Sequence, residues 1–190
     1  MLRGKSNRLR IIGGEWRGRI VEFIDSPQLR PTKDLVRETL FNWLQPRLPG
    51  SICLDAFAGS GALGFEAASR GAAEVVMLDA AAAVVRQLQS QQAALKAVQV
   101  KLLQERAENY LRQSADTFDI VFLDPPFESD LSAHCCALLV EQRLLRPGAS
   151  VYLEARRAEG LPELPPQLTW LRQKQSGDVA YGLAQYEGSL

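Results

Sequence analysis

From residue 51 onward, short β-branched or aliphatic runs alternate with longer stretches of helical periodicity, and this alternation restricts the fold more than any other feature of the chain. Strands that alternate with helices become parallel neighbours through crossovers and are covered on both faces, so an α/β, doubly wound, mostly parallel sheet is expected. The spacing predicts strands over 51–56, 74–78, 99–103, 118–123 and 150–155. Between them it predicts helices from the glycine-rich loop to Arg70, over 80–97, over 107–113 and over 131–145, the last stopping at Arg146-Pro147-Gly148. After a Pro-rich crossover at 161–166, the runs 169–173 and 179–186 flank Gly177-Asp178 and read as an antiparallel hairpin at one edge.

The residues before the sheet form a different unit. Runs at 9–12 and 19–24, separated by Gly13, Gly14 and Gly18, suggest a small hairpin. Thr32 is a suitable N-cap for a helix in which Leu35, Val36, Thr39, Leu40 and Trp43 recur at helical spacing before Pro46 and Pro49. Residues 1–49 are therefore expected to be a basic extension and 50–190 the main domain, the two making one folded unit. Formal charges cancel over the whole chain, yet residues 1–47 hold ten Lys and Arg against five Asp and Glu. That end is a candidate polyanion-binding face, with a solvated terminus as the alternative.

Cys53, Cys135 and Cys136 are too few and too badly spaced for a disulfide framework, and adjacent cysteines after His134 lack the separation that zinc ligands need. No metal is expected. Neither a signal-peptide pattern nor an apolar run of membrane-spanning length is present, which fits a reducing cytoplasmic setting. Nothing in the chain demands more than a monomer.

Gly59-Ser60-Gly61-Ala62-Leu63-Gly64 matches G-x-G-x-x-G between a strand and a helix, which admits a dinucleotide site, another adenosine cofactor, or mere tight packing. Asp55 argues against the first: a carboxylate ending that strand would repel a pyrophosphate and attract an ammonium. Asp79, ending the second strand, is placed to hold ribose hydroxyls in either kind of site. Asp124-Pro125-Pro126-Phe127 follows the fourth strand, where its prolines forbid pairing and helix alike. The Asp124 carboxylate and the Pro125 carbonyl suit the N–H groups of an aromatic amine, and Phe127 offers a stacking face for an extruded base. An ordinary Pro-Pro turn is the plainer alternative, but the coincidence with Asp55, the glycine loop and Asp79 favours a methyl-transfer site.

With Arg10-Ile-Ile-Gly-Gly14, Trp16-Arg-Gly-Arg19, Arg30-Pro-Thr32 and Val36-Arg-Glu-Thr-Leu-Phe-Asn-Trp-Leu44 added, the sequence resembles the ribosomal RNA small-subunit methyltransferase D family over nearly its whole length. The resemblance implies a class I fold with a seven-stranded sheet, S-adenosylmethionine as methyl donor, and the N2 amine of a guanine in 16S rRNA, guanine-966, as target. The substrate would be the small ribosomal subunit or its assembly intermediate. By this resemblance Asp55, Ala58, Gly59, Ser60 and Gly61 line the methionine end of the donor, and Asp79 holds the ribose. Asp124, Pro125, Pro126 and Phe127 hold the guanine. Arg30, Thr32 and Arg37 close over the donor or reach the RNA, or else belong to a capped, solvated helix. Arg3, Lys5, Arg8, Arg10, Arg17, Arg19 and Arg30 are expected to reach RNA. One departure is Gln104-Glu105-Arg106-Ala107, where relatives place a small polar or acidic residue by the adenine. Backbone groups of Arg106 and Ala107 are expected to serve there.

Overall fold

The protein is described from a computed structural model, in which residues 6–24, 34–126 and 131–188 are placed well enough to describe. A two-stranded antiparallel hairpin, β1 (Ser6–Arg10) and β2 (Ile20–Ile24), precedes helix α1 (Asp34–Leu44). There follow β3 (Ile52–Asp55), α2 (Ala62–Ser69), β4 (Glu74–Asp79), α3 (Ala82–Leu95) and β5 (Val100–Gln104). The chain continues through α4 (Ala107–Gln113), β6 (Phe118–Leu123), α5 (Leu131–Glu141), β7 (Leu145–Arg156), β8 (Leu168–Ser176) and β9 (Val179–Tyr186).

Strands β3 to β9 form one sheet in the order β5-β4-β3-β6-β7-β9-β8. The first five are parallel to one another, and β9 and β8 join antiparallel to their neighbours. Two apolar layers sandwich this sheet. One gathers Leu40, Phe41, Leu44, Phe65, Leu88 and Phe122 from α1, α2, α3 and the sheet, and it also takes in Leu9, Ile11, Trp16, Val21 and Phe23 of the hairpin region. The other packs Leu111, Cys135, Cys136 and Leu139 of α4 and α5 against Leu54, Val76, Val121 and Val151. The alternation of side chains along each strand sends its residues into these two layers, which is why continuous apolar runs such as 120–123 carry no period-two polarity.

Three expected boundaries are corrected. The helix expected to reach Leu145 stops at Glu141, because Arg143 takes a left-handed φ of 56° and Leu144 N–H turns back to the Leu139 carbonyl at 3.0 Å. The following strand begins at Leu145, five residues before the expected start. Leu145 pairs with Phe118, and the next pairing is Ser150 with Ile120, so Arg146-Pro147-Gly148-Ala149 bulge past one residue of β6. Pro147 supplies no donor and Gly148 has a φ of 77°, so the breaker residues interrupt a strand here and do not end the helix. In the hairpin, β1 lies at 6–10, three residues earlier than the apolar run suggested.

The hairpin's connecting loop is fastened to α2. The Glu66 carboxylate, wholly buried, accepts the N–H groups of Ile12 and Gly13 at 2.8 Å each, and Arg70 Nε donates to it at 2.7 Å. Ser69 Oγ donates to the Gly13 carbonyl at 2.6 Å and accepts Trp16 N–H at 2.9 Å. At Gly14, with φ 76°, a Cβ would lie 1.8 Å from the Ser69 carbonyl oxygen, so only glycine fits this close approach.

Candidate active site

Asp55 closes β3 and is buried. Its Oδ2 accepts Gly64 N–H at 2.9 Å, so the carboxylate straps the start of α2 to the sheet. Burial is the main influence on its acidity: desolvation lifts the pKa from 3.8 to about 7 against hydrogen bonds from the Gly64 and Phe57 amides, with Asp79 adding to the rise.

Asp79, at the end of β4, bridges two loops. Its Oδ2 accepts Gly59 N–H at 3.1 Å and its Oδ1 accepts Ala81 N–H at 2.8 Å. The glycine loop between the two aspartates turns through Gly59 (φ 49°) and Gly61 (φ 81°), with Gly61 N–H bonded to the Ala58 carbonyl at 2.7 Å. A Cβ on Gly61 would lie 2.6 Å from the Phe65 ring, and one on Gly64 would meet the Met77 side chain. Close packing therefore accounts for both glycines, Gly61 against Phe65 and Leu88 of the helices and Gly64 against Met77 of β4. Ala58 and Ser60 are buried beside them.

Across from Asp79, β5 ends at its register partner Gln104, and Glu105 N–H donates to the Asp79 carbonyl at 3.1 Å. Arg106 is exposed and pairs with Glu108 at 3.3 Å, while Ala107 is buried at the start of α4. Arg106 and Ala107 thus follow directly on the residue that bonds the Asp79 carbonyl.

The second half of the site follows from pairing. Asp55 sits opposite Phe122 in the parallel ladder of β3 and β6, and Ala56 N–H donates to the Phe122 carbonyl at 3.1 Å. Asp124 therefore leaves the sheet two residues beyond the level of Asp55, on an adjoining strand and at the same sheet edge. Asp124 is half-buried, Pro125 buried and Pro126 exposed. Phe127 lies outside the described residues, as do Arg30, Thr32, Arg3 and Lys5.

Arg37 is corrected. It was expected to close over a donor or to reach RNA, but its side chain is wholly enclosed. Its Nη2 donates to the Arg10 carbonyl at 3.0 Å and to Asp34 Oδ1 at 2.6 Å, and its Nη1 lies 3.8 Å from Glu66 Oε2. An arginine enclosed in this way ties α1 to the hairpin and to α2. Among the expected RNA contacts, Arg8, Arg10, Arg17 and Arg19 are all exposed. Arg8 pairs with Glu22 at 3.3 Å across the hairpin, and Arg19 Nη2 donates to the Ala94 carbonyl at 2.9 Å near the end of α3.

Comparison with known proteins bears directly on this arrangement. The family described as "Conserved hypothetical protein 95" matches residues 9–185. Ribosomal RNA small subunit methyltransferase D of Escherichia coli strain K12 is 46% identical over 182 residues, 96% of this chain and 92% of that protein. Its Haemophilus influenzae namesake is 43% identical, covering 93% of each chain. The chain belongs to the ribosomal RNA small-subunit methyltransferase D family. A solved structure of yhhF, a candidate methyltransferase of Escherichia coli, superposes with a TM-score of 0.89 at 43% identity, over 95% of this chain and 99% of that one. The sheet order and edge hairpin are thus those of the class I methyltransferase fold that the family shares.

The sequence reading overlooked one pair beside the site. Tyr152 Oη donates to Glu154 Oε1 at 2.6 Å, and both side chains are buried near the end of β7. The signal was present in the sequence as a lone acidic residue inside the apolar strand Ser150–Ala155.

Proposed function

We propose that this protein transfers a methyl group from S-adenosylmethionine to the exocyclic N2 amine of a guanine in 16S rRNA, within the small ribosomal subunit or an assembly intermediate. The observation that carries this reading is the ladder pairing of β3 with β6, which brings the Asp55 loop and the Asp124-Pro125-Pro126 segment to one edge of the sheet. When bound, S-adenosylmethionine supplies an electrophilic methyl group on a sulfonium.

The buried Asp55 carboxylate suits the donor's ammonium, which would offset the desolvation cost that raises its pKa. Asp79 and the neighbouring Arg106–Ala107 backbone suit the ribose and adenine. The amine nitrogen is a weak nucleophile because its lone pair is delocalised into the purine ring. Hydrogen bonds from its N–H groups to the Asp124 carboxylate and the Pro125 carbonyl aim that lone pair at the methyl carbon. The new C–N bond would form as the methyl–sulfur bond breaks, its electron pair returning to sulfur to leave a neutral thioether; the nitrogen then sheds one proton, for which the Asp124 carboxylate is the proposed acceptor. Exposed Arg8, Arg10, Arg17 and Arg19 supply phosphate contacts, so RNA binding weakens with salt.

Labelled S-adenosylmethionine offered to free RNA, DNA and undermethylated small-subunit particles tests the reading, followed by mapping of the labelled nucleotide. Label on an N2 amine of 16S rRNA supports it. Label only on DNA or protein refutes it, as does full turnover by the Asp124→Ala variant.

A further inference from the structure

A second basic group stands on β8, the outermost strand, whose register with its neighbours carries across to the site. Lys174 is opposite Tyr181 and Tyr181 opposite Glu154, which follows Leu153 as Asp124 follows its partner Leu123. The adjoining row runs from Arg172 through Leu183, Tyr152 and Phe122 to Asp55. Three strand spacings of about 4.8 Å put the Lys174 backbone about 14 Å from that of Asp124. Directly paired residues point to one face, so Arg172 and Lys174 share the side on which Tyr181, Leu183 and α1 pack. There both cations lie over the half-buried indole of Trp43, the Arg172 guanidinium carbon at 6.0 Å and Lys174 Nζ at 5.9 Å from the ring centroid. Tyr181 stacks on the same indole at 5.7 Å. Both cations are exposed, and among the described residues neither is paired with a carboxylate. An aromatic ring beneath a long cationic side chain restrains it without neutralising its charge, which lowers the entropy lost when an anion is bound.

The hairpin arginines are fixed on the opposite flank. Arg19 donates to the Ala94 carbonyl of α3, the helix that leads into the other edge strand, β5. Through Leu88 this helix packs on the same face of the sheet as α1. The ends of β3 and β6 therefore lie between two basic groups. We infer that Arg172 and Lys174, seated on Trp43, form a second phosphate-binding surface, which grips the rRNA backbone on the side of the target nucleotide away from the hairpin. This rests on the RNA reading above. A backbone that delivers one base to the cleft at β3 and β6 leaves that cleft in both directions, and each direction meets exposed cations. Held at two points, the strand cannot swing about the extruded base, which keeps the amine in line with the methyl group.

The test uses undermethylated small-subunit particles and the double variant Arg172→Gln/Lys174→Gln. Losing two phosphate contacts should flatten the slope of log K against log salt by about 1.4 and weaken particle binding on the order of tenfold at about 0.15 M salt. Affinity for S-adenosylmethionine, read by calorimetry, should not change. The swap Arg172→Lys/Lys174→Arg keeps both charges and should bind particles within about threefold of wild type. In hydroxyl-radical footprints at saturating enzyme, wild type should protect rRNA backbone on both sides of the methylated nucleotide and the double variant on one side only. A double variant that binds within about twofold of wild type with an unaltered salt slope overturns the inference. So does weaker binding with the wild-type rRNA footprint retained, because the surface then meets a ribosomal protein. A charge-keeping swap that binds as weakly as the neutral variant marks a structural role and also overturns it. If wild-type enzyme itself neither protects nor methylates the rRNA, the RNA reading falls, and this inference with it.

Discussion

If Asp55 pairs with the donor's ammonium as proposed, donor binding is sensitive to pH in a definite direction. The Asp55 carboxyl is raised from 3.8 to about 7 chiefly by burial, a destabilisation of the ionised form worth about 4 kcal/mol. The folded state thus holds a proton that the unfolded state has lost between about pH 4 and pH 7, and stability conferred by this group declines as pH climbs through that window. Binding runs the other way. An ammonium pairs only with the ionised carboxylate, so affinity for S-adenosylmethionine should rise with pH until Asp55 is deprotonated. About one-tenth of the sites are ionised at pH 6 and about seven-tenths at pH 7.4, which predicts roughly an eightfold gain in affinity between them. The donor's own α-amino group remains largely protonated over this range, since such groups titrate near 7.7–8.0. Calorimetry in buffers of different ionisation enthalpy checks both the gain and the release of about half a proton per site near pH 7. Asp55→Asn should bind more weakly at pH 7.4 and show no such slope. An affinity flat to within twofold from pH 6 to pH 7.4, with no proton released, would refute the ion-pair role.

Further expectations concern the frame around the site. Glu66→Ala removes the acceptor of two backbone N–H groups and of Arg70, and leaves the enclosed Arg37 with Asp34 but without its buried carboxylate, so urea denaturation should show a loss of about 3–5 kcal/mol. Gly14→Ala forces a Cβ into the Ser69 carbonyl at a φ of 76°; it should cost at least about 2 kcal/mol by the same assay, and a neutral result would mean the loop moves freely off α2. Burial raises the thiol pKa of Cys53, Cys135 and Cys136 to about 12 each. At pH 8 none should react with a thiol reagent at the rate of a free cysteine, and all three should react once the chain is unfolded.

What the sequence made legible was whatever local chemistry encodes. Strand β6 at 118–123 and strand β9 at 179–186 fall where apolar runs and turn residues placed them. Asp55, Asp79 and Asp124 were readable because each ends a strand before a loop, and the order of a doubly wound sheet brings such ends together. The bulge at Arg146–Ala149 was not readable. Pro and Gly mark a break in regular structure without saying whether it ends a helix or distorts a strand, and only the pairing of β7 with β6 decides that. The β7 strand therefore begins at Leu145 in the core, where a helix was expected.

Arg37 and Glu66 show the same limit at the level of charge. Nothing in the local sequence marks either as buried, since Arg and Glu are mostly exposed in folded proteins. Their burial follows from long-range closure: the loop at 11–18 folds over α2, and its backbone N–H groups at Ile12 and Gly13 need an acceptor where no strand partner exists. Glu66 meets that need and thereby creates a buried anion, which Arg70 and Arg37 in turn neutralise. The basic hairpin is consequently joined to the helix that opens at the glycine loop. If the hairpin arginines meet RNA and the glycine loop meets the methyl donor, as proposed above, the two sets of contacts fall on elements joined through Glu66.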